Sequence, residues 1–190
     1  MRNPEFIVFA GPMFGSKTTR LLAHIDRYRI QRKNVIAFKP KMDNRYDTSR
    51  ITTHNGGSIE AYCVDKGSDI LSKIREIYNV EYPDVVAIDE AFMIDDLEAA
   101  LVDLYKRKIT IIISSLDMSA TCRPFEEISK ILPYATKIEK CPAVCTVCGE
   151  DAYYTHKKFE NNKVIEVGGK NLYEPRCWQH HSYMNKNTQV

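Results

Sequence analysis

Phe6-Ile7-Val8-Phe9-Ala10-Gly11-Pro12-Met13-Phe14-Gly15-Ser16-Lys17-Thr18 is the stretch on which the reading of this chain turns. Five apolar residues halt at Gly11-Pro12, the mark of a short buried strand. Beyond them Leu21, Leu22, Ile25 and Tyr28 recur at helical spacing to about Gln31. A loop between strand and helix, opened by Gly and closed by Lys-Thr, is the setting of a phosphate-binding loop. There backbone N–H groups cradle phosphates, the Lys reaches the β and γ phosphates, and the Thr hydroxyl holds Mg2+. Gly11, Pro12, Met13, Phe14, Gly15, Ser16, Lys17 and Thr18 are therefore the candidate ATP-binding set. The usual spacing puts the second Gly directly before the Lys, where Ser16 stands. A Cβ at that close approach is expected to weaken nucleotide binding. Swapping Gly15 and Ser16 is accordingly expected to tighten it.

Further apolar runs read as strands: Val35 to Phe38, Ile59 to Val64, Val85 to Ile88 and Ile109 to Ile113. Helical patterns lie between them, through Ile70, Ile74, Ile77 and Tyr78, and through Leu97, Leu101 and Leu104. Alternating apolar strands and helices imply an α/β fold, a parallel sheet with helices on both faces. Ligands of such sheets sit at the carboxyl ends of strands. That rule selects the loops at Gly11 to Thr18, Lys39 to Tyr46, Asp89-Glu90 and Ser114 to Asp117. A strand-ending Asp beside a phosphate loop orders Mg2+, so Asp89 takes that role. Glu90 is the candidate general base, and Asp43 a further member of the magnesium region.

The texture changes near Lys137. Residues 1–138 read as a nucleotide-binding domain and 139–184 as a second module, with 185–190 a polar tail expected to fray. The module holds Cys145-x-x-Cys148 and Cys177-x-x-His180. Each pair grips one metal from a tight turn, and Cys3His is a structural zinc set. The two pairs are far apart in sequence, so zinc would staple the base of a long loop. His181 adjoins His180, and the choice between them stays open; Cys141 is a spare candidate.

Composition narrows the partners. The 190 residues carry 27 Lys+Arg against 25 Asp+Glu, a net charge of +2, which gives no electrostatic case for nucleic acid or a membrane surface. No apolar run approaches the roughly 20 residues of a membrane helix. With no secretory pattern at the N-terminus, a cytoplasmic location is expected, and the six Cys read as thiols or metal ligands.

Taken in order, these motifs resemble the type II thymidine kinases over nearly the whole chain. The resemblance rests on Gly11 to Phe14 with Lys17-Thr18, on Lys39-Pro40 with Asp43 and Arg45-Tyr46, and on Ile88-Asp89-Glu90-Ala91. It continues through Leu116-Asp117, Pro124-Phe125, both Cys pairs and Gly168-Gly169 with Tyr173-Glu174-Pro175-Arg176-Cys177. It implies a RecA-like P-loop sheet with a small zinc-binding lasso domain. It also implies transfer of the γ-phosphate of ATP to the 5′-hydroxyl of thymidine or deoxyuridine. Glu90 would be the catalytic base, Arg45 would act near the transferring phosphate, and Thr18, Asp43 and Asp89 would surround magnesium. Met13, Leu116, Thr155, Val167, Gly168 and Tyr173 would contact the nucleoside. A homotetramer and feedback inhibition by thymidine triphosphate are further implications. The family has Ser-Gly before the Lys, Gln after the Asp-Glu-Ala triplet, and an aromatic then Arg where Ala120 and Thr121 stand here. Phe92 and Met93 are the side chains available to refill the stacking space. The alternatives are a nucleoside kinase with altered base preference and a catalytically impaired nucleotide-binding regulatory protein.

Overall fold

The computed structural model describes residues 3–43, 49–53, 56–79, 81–159 and 168–185. Arg45, Tyr46, His54 and Val167 lie outside them. The first strand, β1, is Phe6–Ala10, and α1 follows at Lys17–Ile30. Then come β2 (Val35–Pro40), β3 (Arg50–Thr52), β4 (Ser58–Glu60), β5 (Tyr62–Val64), α2 (Gly67–Tyr78) and β6 (Val85–Ile88). Next are α3 (Leu97–Lys106), β7 (Thr110–Ser115), α4 (Glu126–Ile131) and β8 (Lys137–Lys140). Four short strands finish the order: β9 (Ala143–Val144), β10 (Asp151–Ala152), β11 (Tyr154–Lys157) and β12 (Tyr173–Arg176).

Six strands form one parallel sheet in the order β5-β2-β6-β7-β1-β8. Side chains of β1 alternate between its two faces, and both faces are buried. Phe6 and Val8 join Ile70 and Ile74 of α2, Leu97, Leu101 and Leu104 of α3, and Ile128 and Ile131 of α4. Ile7 and Phe9 join Leu21, Leu22, Ile25 and Tyr28 of α1, with Ile51 and Ile59 extending that cover. Burial on both faces explains why these strands read as unbroken apolar runs.

Two features differ from the sequence expectation. The run Ile59 to Val64 is split: β4 pairs antiparallel with β3, and β5 joins the edge of the main sheet. The chain crosses from one face to the other there, since Ile59 and Ala61 pack beside α1 while Val64 packs beside α2. The sixth strand, β8, gave no apolar signal. Three of its four residues are charged, and Ile138 is half exposed, as suits an edge strand. Beyond β8, β9 pairs with β10 and β11 with β12, both antiparallel.

Candidate active site and metal centre

The register of the parallel sheet gathers the chemistry. Ile88 pairs with Ile113 and with Phe38, so Asp89, Ser114 and Lys39 each stand one residue past a paired strand position at the same end. There the Ser114 hydroxyl donates to Asp89 Oδ1. Thr18, in the first turn of α1, donates from Oγ1 to both Asp89 oxygens at 3.1 and 3.3 Å. Lys39 Nζ lies 3.6 Å from Asp43 in a buried pair and donates to the Arg50 carbonyl at 3.2 Å. The signal for Ser114 was its place at a strand's carboxyl end, the rule that had already marked Ser114 to Asp117.

The loop ahead of α1 is wound tightly. Phe14 and Ser16 have φ of 66° and 56°, in the left-handed region. No side chain caps α1 among the described residues, which leaves its first-turn N–H groups available to an anion. Lys17 is buried, and its Nζ donates to the Pro12 carbonyl at 2.6 Å. Burial pushes its pKa down, opposed by the charges of Glu90 and Asp89. A cleft lies in front of the loop. Met13, Phe14, Gly15, Ser16, Lys17 and Thr18 line one side; Asp43, Asp89, Glu90, Leu116 and Gly169 line the rest. Ile51, Thr52 and Thr53 also line it, from a hairpin that no motif announced. Gly11 and Pro12 are buried beneath the loop. Thr155 is buried, accepting the Met13 N–H at 3.0 Å, and Tyr173 is buried in β12.

The expected benefit of a Gly15–Ser16 swap does not survive the geometry. A Cβ on Gly15 would sit 2.7 Å from the Cys141 carbonyl oxygen, and one on Gly11 would sit 2.4 Å from it. Position 15 is closed by the chain leaving β8. Ser16 is exposed but carries the left-handed backbone that suits Gly. Ser16→Gly alone should therefore stabilise the fold by about 1 kcal/mol, the scale of left-handed strain. Gly15→Ser should destabilise it by about 1–3 kcal/mol through overpacking. Denaturant titration of both variants measures this, and equal effects would contradict it.

Phe92 does not refill the stacking space either. It is buried in the core, its ring centroid 4.5 Å from that of Phe125, and its N–H donates to Ser115 Oγ at 3.1 Å. Met93 packs against the same cluster. Ala120 stands in the turn following Asp117, whose carboxylate is ion-paired with Lys140.

Asp89 is a strongly perturbed carboxyl. Burial raises its pKa to about 7, helped by the adjacent Glu90 charge and resisted by the Ser114 and Thr18 hydroxyls. The folded form thus holds a proton that the unfolded chain releases near pH 4. Stability from this group is present below pH 4 and lost as pH rises toward 7. Asp89→Asn removes that penalty. In ligand-free protein it should raise Tm by at least about 4 °C at pH 8 and leave it unchanged at pH 4. An equal shift at both pH values would contradict the burial account.

The Cys3His residues come together. The Sγ atoms of Cys145, Cys148 and Cys177 and a ring nitrogen of His180 lie within 4.8 Å of one another. Cys148 and Cys177 sulfurs are 3.7 Å apart, and Cys145 Sγ is 3.8 Å from His180 Nδ1. A tetrahedral zinc with bonds of about 2.3 Å to sulfur sets its ligand atoms about 3.8 Å apart, so the donor set fits that metal. Burial opposes ionisation of Cys145, yet hydrogen bonds from the Cys177, Cys148 and Val147 backbones bring its pKa down to about 6, toward the thiolate a metal needs. His181 is engaged elsewhere: it is fully buried, with Nε2 3.0 Å from the Thr155 carbonyl and Nδ1 3.8 Å from Cys122 Sγ. Cys141 also lies outside the cluster, donating to the Glu139 carbonyl at 3.4 Å.

A phosphate loop, a hydroxyl–carboxylate pair beneath it and a second carboxylate alongside define a P-loop α/β protein equipped for phosphoryl chemistry. The model of the family described as thymidine kinase matches residues 5–181. A thymidine kinase of Pseudothermotoga lettingae is 36% identical over 175 residues, covering 91% of this chain and 92% of that protein. One of Pyrobaculum aerophilum is 35% identical over 182 residues, covering 92% and 97%. One of Amsacta moorei entomopoxvirus is 34% identical over 170 residues, covering 88% and 92%. The chain belongs to the thymidine kinase family. Among the described residues no helix is long and apolar enough to cross a membrane.

Proposed function

We propose that this protein transfers the γ-phosphate of ATP to the 5′-hydroxyl of thymidine or deoxyuridine, yielding the nucleoside monophosphate. The observation that carries the reading is the convergence on one cleft of Lys17, the Thr18–Asp89 pair and Glu90, in a chain of this family. The loop N–H groups and Lys17 bind the donor phosphates and offset charge as the phosphoryl group moves. Thr18 and Asp89, with Asp43 nearby, are the hard oxygen donors that would hold Mg2+, which supplies further charge stabilisation when bound. Glu90 orients the 5′-hydroxyl and takes its proton as the new O–P bond forms and the bond from the γ-phosphorus to the departing ADP breaks. Arg45 acts near the transferring phosphate. Met13, Leu116, Thr155, Val167, Gly168 and Tyr173 hold the nucleoside. Closure of the 149–176 loop over it excludes water, protecting the phosphoryl group from hydrolysis.

Zinc at Cys145, Cys148, Cys177 and His180 staples the base of that loop. Residues 1–138 act as the nucleotide-binding unit and 139–184 as the lasso unit, with β8 bridging the join. A cytoplasmic homotetramer, restrained by thymidine triphosphate, completes the reading. Incubation with γ-labelled ATP and thymidine tests it: label must appear in thymidine 5′-monophosphate. Label only in free phosphate would contradict it. One observation favours a second reading, a kinase with altered base preference. The turn that carries the family's base-packing aromatic offers only Ala120 and Thr121.

A further inference from the structure

The phosphate loop and the Cys3His cluster are built as one piece. Phe14 belongs to the loop by its backbone, yet its side chain packs against Ala143, Cys145, Ala152 and Cys177, the small core around the cluster. Two cluster ligands are in that core. A second tie runs alongside: the Met13 N–H donates to Thr155 Oγ1 at 3.0 Å, and the Thr155 carbonyl lies 3.0 Å from Nε2 of His181, the residue after the ligand His180. The back of the loop is closed by the chain leaving β8, where Gly11 and Gly15 face the Cys141 carbonyl too closely to admit a Cβ. The loop itself is wound against its own preference, with Phe14 and Ser16 both left-handed. Such a loop keeps its shape only while its surroundings hold it.

We propose that Phe14 is a positioning residue that ties the phosphate loop to the Cys3His cluster, so that zinc retention and nucleotide affinity strengthen each other. The inference rests on the proposed function for its two ligands and goes beyond it in linking them. Nucleotide needs the loop in its wound form, because only then do the N–H groups converge on phosphate. That form needs Phe14 seated in a core that zinc holds closed. Whatever nucleotide gains from zinc, zinc must gain from nucleotide. The contacts form a contiguous path, and a coupling measurement decides whether energy travels along it.

The test follows the partition of zinc at equilibrium between the loaded full-length chain and a chromogenic chelator of comparable affinity. MgATP at saturation should raise the chain's affinity for zinc by at least about fivefold, the low end of coupling between linked sites. Weak capture of zinc by ATP itself would lower the apparent affinity, so it cannot imitate this result. Phe14→Ala, at one zinc per chain by elemental analysis, should cut the gain to about twofold or less, with KM for ATP raised. Phe14→Leu should restore most of both effects, because an apolar side chain of similar reach refills the core. Equal zinc affinity with and without MgATP, in wild-type protein that binds ATP and one zinc, would overturn the coupling and leave the proposed function standing. Wild-type protein that fails to bind ATP or zinc would overturn both. The wild-type comparison needs no variant, so the proposal is tested even where Phe14→Ala fails to fold.

Discussion

Glu90→Gln lowers kcat by at least about a hundredfold while ATP affinity stays within about twofold of wild type, the pattern of a lost general base. The reason lies in placement. Glu90 follows the last residue of β6 by two positions and has a left-handed backbone, φ 49° and ψ 43°. A non-Gly residue pays for that conformation, and functional sites are where such strain is kept. It stands on the cleft beside Asp89, whose oxygens are already engaged by Thr18 and Ser114. In the proposed reading Asp89 stands on the metal side and Glu90 takes the proton of the acceptor hydroxyl. Gln preserves shape and hydrogen-bonding reach and removes the charge and, with it, the ability to take a proton. Isothermal titration with ATP, together with steady-state rates, separates the two effects. Unchanged turnover would remove Glu90 from the mechanism. A parallel loss of ATP binding would make it a structural residue of the loop.

Cys177→Ser abolishes both zinc retention and activity. Cys177 begins the second ligand pair, directly after β12, and lies 3.1 Å from His180 Nδ1 and 3.7 Å from Cys148 Sγ. The strands it anchors are short: β9 and β10 have two residues each, β11 and β12 four. The core beneath them is four small or sulfur-bearing residues with Phe14 alongside. So little apolar area cannot hold a unit folded by itself, and small units of this kind rely on a metal. Structural zinc is worth about 10–16 kcal/mol in zinc-finger peptides at neutral pH. Without it, protease should cut within residues 141–184 while the six-stranded sheet persists, and phosphate transfer should fall to background. A zinc-free variant with wild-type activity and an unchanged cleavage pattern would contradict the staple.

Different parts of the fold leave signals of different kinds in the sequence. The central strands were legible because a parallel strand buried on both faces must be apolar throughout, as Phe6 to Ala10 and Ile111 to Ile113 are. The edge strand Lys137–Lys140 was not, since an edge needs no such pattern. The ligand pairs were legible from spacing, but the choice of His180 over His181 was not. Spacing allows both, and only the fold shows His181 turned toward the Thr155 carbonyl. The loop's odd glycine was visible, and its cause was not. Gly15 answers to the Cys141 carbonyl, 126 positions along the chain, which no local pattern encodes. Ile51 to Thr53 came to the cleft by a hairpin, and that too is a tertiary fact.

Phosphate transfer to a pyrimidine deoxynucleoside is best tested with a panel of acceptors. Steady-state transfer from MgATP would be measured with thymidine, deoxyuridine, deoxycytidine and the purine deoxynucleosides. Turnover is expected with thymidine and deoxyuridine, and background rates with the others. Turnover with a purine or deoxycytidine in place of thymidine, or none with any acceptor despite tight ATP binding, would contradict it.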